Sequence, residues 1–377
     1  IKSSAASDVY KRQISDYNTA SGKYAEYFTP QALSKAIAQI LVRMSPVEDR
    51  IYEIYDPSAG SGSLVLHLAN ELGDGKFGNK ARVYTQDISQ KSSRFLRINM
   101  LLNGLKESLE NIIEGDTLTT PAHFKRRGDN TSGLKHFDYI TSNPPFKTDF
   151  SSTRDTIETM WSATDRFFAG VPTIPNKKKD SMAIYLLFIQ HILYSLKEGG
   201  KAAIVVPTGF ITAQSGIEKT IRQTIVDNHW LKGVISMPSN IFANTGTNVS
   251  VLFIDKTNLD GEVLLMDASK MGHKEKIKDV QKTVLTPDEL QKIVDDFVGH
   301  VVEDDFTVSV TYEAIKEKNY SLSAGQYFDV KIEYVDISQE EYDKMIDDFN
   351  ADFAIYVDET TQFQQEISQI LKELKVK

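Results

Sequence analysis

Ile51-Tyr52-Glu53-Ile54-Tyr55-Asp56-Pro57-Ser58-Ala59-Gly60-Ser61-Gly62 reads as a strand, a terminal acid and a tight glycine loop, and Leu64 to Leu72 continue as a helix. That order is the first unit of a doubly wound α/β sheet, in which glycines let the backbone approach a ligand. Asp56, at the carboxyl end of the strand, is placed to take a ligand ammonium. A Gly-x-Gly alone is a weak signal, but there is no six-position dinucleotide fingerprint and no Gly-Lys-Ser/Thr, which disfavours nicotinamide and ATP. Moving outward, Val83-Tyr84-Thr85-Gln86 is a second strand ending in Asp87, about where an acid binds ribose hydroxyls in this architecture. Asn111 to Gly115 is a third, ending in Asp116. Any one of these acids is as readily a helix cap; three at successive strand ends beside a glycine loop favour a nucleoside pocket.

The next strand, Phe137-Asp138-Tyr139-Ile140, runs into Thr141-Ser142-Asn143-Pro144-Pro145-Phe146. Two adjacent prolines fix their own φ and push the preceding residue into extended geometry, so the chain turns rigidly here. The Asn143 side-chain oxygen, the Pro144 carbonyl and the Phe146 face make a pocket that accepts hydrogen bonds from a planar amino group and stacks the ring carrying it. The bland reading is a Pro-Pro turn capping a strand. Asn-Pro-Pro-aromatic is shared by several amine methyltransferases acting on nucleic acid or on protein glutamine, so the motif names a chemistry rather than a substrate.

Further strands at Ala202 to Val206, Gly233 to Ser236 and Val249 to Ile254 bring the expected total to seven, with helices such as Ala183 to Leu196 between most of them. This is an α/β sandwich of roughly 230 residues. Between the fourth strand and that helix, Lys147 to Asp180 is a long irregular insertion carrying Trp161, Phe167, Phe168 and Lys177-Lys178-Lys179. Basic and aromatic residues beside the pocket suit a flipped base and its phosphates, although a charge run is usually solvated.

Bulk composition narrows the classes. With 41% hydrophobic and 25% charged residues in 377, the chain reads as an ordinary globular protein. It carries no apolar run long enough for a membrane span and no signal-peptide pattern, which places it in the cytoplasm. The absence of cysteine removes every thiolate-nucleophile mechanism, methylation at cytosine carbon 5 included. The seven His have no metal-ligand spacing and read as structural. With 43 Lys and Arg against 52 Asp and Glu, the charge of -9 argues against strong unaided DNA binding. A partner is expected to supply the grip.

At the start, residues 1–13 lack any period and read as a non-native leader, so the natural start is expected to be missing. Thr29 and Pro30 read as an N-cap and first helical residue before Leu33, Ile37, Ile40 and Leu41. At the other end, Tyr342, Ile346, Phe349, Phe353, Tyr356, Thr360, Phe363, Ile367, Ile370 and Leu374 alternate spacings of four and three. Such a seam is a long helix packed lengthwise on a partner helix, the alternative being a helix folded back on its own domain. The expected segments are a leader (1–13), a residual N-terminal segment (14–50), a core (51–256), a mixed subregion (257–335) and the long helix (336–377).

With these pieces in order, the chain from about Gly22 onward resembles the modification subunit of type I restriction-modification systems, a γ-class N6-adenine DNA methyltransferase. The resemblance rests on Tyr27-Phe28-Thr29-Pro30, then Asp56 to Gly62, Gly115-Asp116 and Asn143-Pro144-Pro145-Phe146, with support from Asn240 to Asn248 and Tyr320-Ser321-Leu322. It implies a seven-stranded Rossmann-like sheet, S-adenosylmethionine as cofactor, and adenine-specific activity of the EC 2.1.1.72 class. It further implies that Tyr27, Phe28, Thr29 and Pro30 hold the methionine end of the cofactor with Asp56, Ala59, Gly60, Ser61 and Gly62. Asp87 would bind the ribose hydroxyls and Asp116 the cofactor's adenine amine. A target adenine flipped from double-stranded DNA would stack on Phe146 and donate to Asn143 and the Pro144 carbonyl, with Pro145 stiffening the corner.

Two departures stand out: the family carries a helical domain ahead of Tyr27, where this chain has about twenty residues, and its ribose acid is often Glu rather than Asp. Nothing after residue 256 resembles a target-recognition domain, and residues 336–377 hold 11 acids against 4 lysines. The resemblance therefore implies a specificity subunit as partner, with a second modification subunit and a restriction subunit. An RNA or protein-glutamine methyltransferase, and a non-catalytic scaffold of the same fold, are the rival readings. The first leaves the Phe28-Thr29-Pro30 segment and the tail unexplained, and the second has no need of an intact Asn143 to Phe146.

Overall fold

The structure is a computed structural model that describes residues 29–74, 80–128, 132–241, 248–258, 261–277, 280–329 and 337–374. It opens with α1 (Gln31–Arg43), β1 (Tyr52–Asp56), α2 (Ser63–Leu72), β2 (Ala81–Asp87), α3 (Gln90–Leu102), β3 (Ile112–Glu114) and β4 (Phe137–Ser142). There follow α4 (Tyr185–Ser195), β5 (Leu196–Pro207), α5 (Gly216–Asp227), β6 (Leu231–Ser236), β7 (Val249–Asp255), β8 (Glu262–Asp267), β9 (His273–Ile277) and β10 (Val280–Val284). The last elements are α6 (Pro287–Val298), β11 (Thr307–Thr311) and α7 (Gln339–Leu374).

The main sheet has nine strands in the order β11-β8-β6-β7-β5-β4-β1-β2-β3, and β9 and β10 form a separate hairpin. From β3 to β5 the pairings are parallel; β7 runs antiparallel to both β5 and β6. The expected count of seven is corrected to nine, because β8 pairs parallel with β6 and β11 pairs antiparallel with β8. β11 is a five-residue edge strand, Thr-Val-Ser-Val-Thr, whose alternation is compatible with a strand but too short and too weakly apolar to stand out without its partner β8. The sheet thus continues well past Lys256.

Both faces are covered, which is why β4 and β7 are buried along their whole length, polar residues such as Thr141 and Ser250 included. One face packs α1, α2, α3 and α6 through residues such as Leu41, Val65, Leu68, Leu96 and Ile293. The other packs α4 and α5 through Ile189, Ile192, Leu193, Ile221 and Ile225. Each cluster removes large aliphatic surface from water, worth roughly 1.5–3 kcal/mol per fully buried side chain. Helix α6 starts on a capping box, Thr286 with Glu289, and Pro287 takes its first turn, so its boundary is written locally.

The feature that positions a site is the reversal between β1 and β4. The chain builds outward from β1 through β2 to β3, then returns to lay β4 on the other side of β1. Loops leaving neighbouring carboxyl ends diverge there and leave a crevice.

The chain divides into two units, the second beginning at Asp329. In that second unit α7 is a single helix of 36 residues. Its seam is exposed, with Phe349 at 64%, Phe353 at 58% and Phe363 at 62%. No helix among the described residues is long and apolar enough to cross a membrane.

Candidate active site

Asp56 closes β1 and is buried, its Oδ1 accepting the Ser58 N–H at 2.9 Å. No Lys or Arg among the described residues pairs with it. Burial first, and the charge of Asp87 among the lesser causes, pushes its carboxyl up to about 8. Thr85 pairs with Asp56 on β2, Thr141 follows Ile140, the β4 partner of Tyr55, and the hydroxyls of both are buried without a partner among the described residues.

Asp87 closes β2 and pins the glycine loop. Its Oδ2 accepts the Gly60 N–H and its Oδ1 the Ser89 N–H, both at 2.8 Å. Burial raises its pKa while those two N–H groups pull it down. Gly60 has φ +52° and an added Cβ would meet nothing within 4 Å, so the loop presents bare backbone to open space. Gly62, at φ +81°, serves packing instead, because a Cβ there would lie 2.1 Å from Leu96 Cδ1 on α3. The Ser61 carbonyl accepts from Asn99 Nδ2 at 3.1 Å, and Ala59 N–H donates to the Gln86 carbonyl at 3.3 Å.

Asp116 lies two residues past β3 in a turn held by its own carboxylate, with the Leu118 N–H on Oδ1 and the Thr119 hydroxyl on Oδ2, each at 2.9 Å. The Thr117 hydroxyl donates to the Pro57 carbonyl at 2.6 Å and links this turn to the glycine loop.

At the end of β4 the Ser142 and Ser58 hydroxyls meet at 2.7 Å, bringing the Asn-Pro-Pro-Phe corner against the glycine loop. Asn143 Nδ2 donates to the buried Thr29 hydroxyl at 3.1 Å. That contact orients the amide, leaving Oδ1 as the acceptor that faces away from Thr29. Pro144 is buried, and Phe146 is half-buried with its ring tilted 74° against Tyr185 at 6.2 Å; Tyr185 in turn meets Phe210 at 6.2 Å.

The structure therefore brings Thr29, Asp56, Ala59, Gly60, Ser61, Gly62, Asp87 and Asn143 around one crevice, with Asp116 joined through Thr117. Tyr27 and Phe28 lie outside the described residues, as do 242–247 of the supporting Asn240 to Asn248 segment. The expected N-cap is corrected: α1 starts at Gln31 with Pro30 as the capping position and no side-chain cap, because the Thr29 hydroxyl is engaged by Asn143. Within the insertion, Trp161 and Phe167 cover the Arg166 guanidinium, with Cζ at 4.2 and 4.8 Å from their ring centres. Lys177, Lys178 and Lys179 are exposed. His191 is buried and His123 half-buried, and desolvation lowers both, pushing His123 down to about 4.

Sequence reasoning missed Ser58, Ser142 and the Thr29 to Asn143 contact. Ser142 stands directly before the motif, and its place at the strand end was the available signal. The 114 positions between Thr29 and Asn143 carry no local signal at all.

A family model described as N-6 DNA methylase matches residues 2–335. The chain belongs to the N-6 DNA methylase family. It is 32% identical over 375 residues to the type I restriction enzyme MpnII methylase subunit of Mycoplasma pneumoniae, covering 99% of this chain and 64% of that one. It is 26% identical to the MjaIX methylase subunit of Methanocaldococcus jannaschii, covering 97% and 62%. A solved type I restriction-modification methyltransferase subunit from Streptococcus thermophilus superimposes with TM-score 0.65 at 26% identity, covering 81% of this chain and 60% of that one. The chain thus spans a little under two thirds of these family members.

Proposed function

We propose that this chain transfers a methyl group from S-adenosylmethionine to the N6 amine of adenine in DNA, as the modification subunit of a type I restriction-modification assembly. The observation that carries the reading is the Asn143 amide, held by Thr29 with its oxygen unpaired among the described residues, on a corner fastened by Ser142 to the glycine loop beside Asp56.

The residues fit the donor. Asp56 is a buried carboxyl with no basic partner among the described residues, and a ligand ammonium would supply the positive charge that favours its ionised form. Each carboxylate oxygen of Asp87 and Asp116 takes one internal donor, and a carboxylate accepts about four hydrogen bonds, so both retain capacity for ribose hydroxyls and an adenine amine. The open space over Gly60 admits a ligand against bare backbone. When bound, the donor supplies an electrophilic methyl group carried on sulfonium.

The chain's own work is positioning. Asn143 Oδ1 and the Pro144 carbonyl accept the two amine hydrogens and draw the nitrogen lone pair out of ring conjugation. Phe146, braced by Tyr185, stacks the flipped base. No covalent enzyme intermediate is needed, so orientation and fixed dipoles supply the rate.

The charge of -9 and the exposed seam of α7 support a division of labour in which a specificity subunit, packed along α7, reads the DNA sequence for a complex containing modification and restriction subunits. The test is label transfer from methyl-labelled donor to unmethylated duplex DNA, RNA and peptide-chain release factor, with the specificity subunit present. Label in N6-methyladenine of duplex DNA is expected. Label confined to RNA or protein ends the reading.

A further inference from the structure

Arg166 sits in the insertion that follows Phe146 and is fully buried, yet among the described residues none of its guanidinium hydrogen bonds goes to a carboxylate. Nε donates to His191 Nδ1 at 3.1 Å, Nη1 to the Leu118 carbonyl at 3.1 Å and Nη2 to the Thr117 carbonyl at 2.7 Å. Burying a cation without a counter-ion is unfavourable unless its N–H groups are paired, and here each of the three nitrogens donates one bond. What it is used on is specific. Thr117 and Leu118 form the back of the turn whose front is Asp116, and the Thr117 hydroxyl passes the contact on to the Pro57 carbonyl, next to Asp56.

A second route runs through His191. Because Nδ1 accepts from Arg166, the neutral ring carries its proton on Nε2, which donates to the Tyr55 hydroxyl at 3.2 Å. Tyr55 immediately precedes Asp56 on β1. One guanidinium therefore reaches the backs of both acids, from a segment tied by sequence to the Asn-Pro-Pro-Phe corner.

We infer that Arg166 is a positioning residue that sets the Asp116 turn and the Asp56 loop for the methyl donor and locks the insertion beside the base pocket to them. It rests on the reading above for the identity of the donor, but not for the clamp itself. A group that merely cemented the core would act on the whole sheet; this one acts on two loops.

The experiment uses the full chain and two variants, Arg166→Lys, which keeps the charge but loses the fork, and Arg166→Ala. Amide hydrogen exchange of the ligand-free protein is measured first. Peptides covering 56–62 and 115–120 are expected to exchange about tenfold or more faster in Arg166→Lys, as for the loss of one charged hydrogen bond, while β7 peptides are unchanged. Donor affinity should then fall roughly ten- to a hundredfold, with kcat at saturating donor within about threefold. Millimolar guanidinium chloride, but not sodium chloride, should restore Arg166→Ala toward wild type. Should Arg166→Ala fail to fold, the Lys variant alone decides. Unchanged exchange in both loops, or faster exchange spread evenly over the sheet, overturns the inference. A wild-type chain that binds no donor defeats the methyltransferase reading instead, and the exchange result still decides the clamp.

Discussion

Asp56→Asn tests the idea that this chain keeps an acid for a ligand at the expense of its own stability. The carboxyl is pushed up to about 8 by burial and by the neighbouring Asp87 charge, against roughly 4 in an unfolded chain. Between those values the native state holds a proton that the unfolded state has released. Stability therefore falls as pH rises through the window and levels off above about 8. A four-unit displacement bounds the penalty at roughly 5 kcal/mol, and because buried sites respond as media more polar than dry protein we expect about 1–3 kcal/mol of it to appear. Asparagine keeps an oxygen for the Ser58 N–H and carries no charge. Urea unfolding of the ligand-free chain should thus show Asp56→Asn more stable than wild type at pH 8 by that amount, and level with it near pH 4. Donor binding should move the other way, weakening roughly ten- to a hundredfold through loss of a charged contact. A variant equally destabilised at every pH, with the wild-type pH slope, would refute the reasoning, since it would mean that Asp56 is ionised and well paired in the native state.

Asn143→Ala should leave donor affinity within about threefold in calorimetry while cutting turnover roughly a hundredfold or more, the scale of one transition-state contact; unchanged turnover would mean the pocket is misassigned. At the opposite end of the sheet, Asp138 accepts from the Glu53 N–H at 2.8 Å and from Arg50 and Lys197 at 3.0 Å. Its burial raises the pKa, but these donors more than offset it, so the carboxyl titrates below its ordinary range and its stabilisation is present above about pH 4 and lost as pH falls. Asp138→Asn should accordingly cost about 1–3 kcal/mol at pH 7 by urea unfolding, with the gap closing in acid. Phe363→Asp, on the exposed seam of α7, should weaken co-purification with a specificity subunit without moving the urea midpoint of the core, and co-purification at the wild-type level would count against the packing role.

How much of the fold is legible depends on where each strand sits. Interior strands such as Val249–Asp255 face helices on both sides and are mainly apolar, so their identity shows in composition. The added strands beyond β6 are visible only in part. Val263 to Met266 is apolar, but Thr307–Thr311 lies at the sheet edge, where one pairing partner suffices and short polar β-branched residues serve. Edge strands are defined by what they pair with, and pairing partners 40 or more positions away leave no local trace.

The site divides along the same line. Asp56, Asp87 and Gly60 are legible because one constraint, a strand end feeding a ligand-facing loop, places acid and glycine next to each other in sequence. Thr29 to Asn143 and Arg166 to Thr117 are not, because each spans the fold. Yet in the proposed reading these long-range contacts bear directly on the chemistry. An Asn-Pro-Pro-Phe corner with an unrestrained amide presents its nitrogen to an incoming amine as readily as its oxygen, and a donor facing a donor repels. The Thr29 hydroxyl, which can accept or donate, takes the Nδ2 side of the amide at 3.1 Å, and in that arrangement Oδ1 is the group left for the amine. In the proposed reading, the orientation of the corner amide thus depends on Thr29, a residue that a local reading assigns to a helix cap.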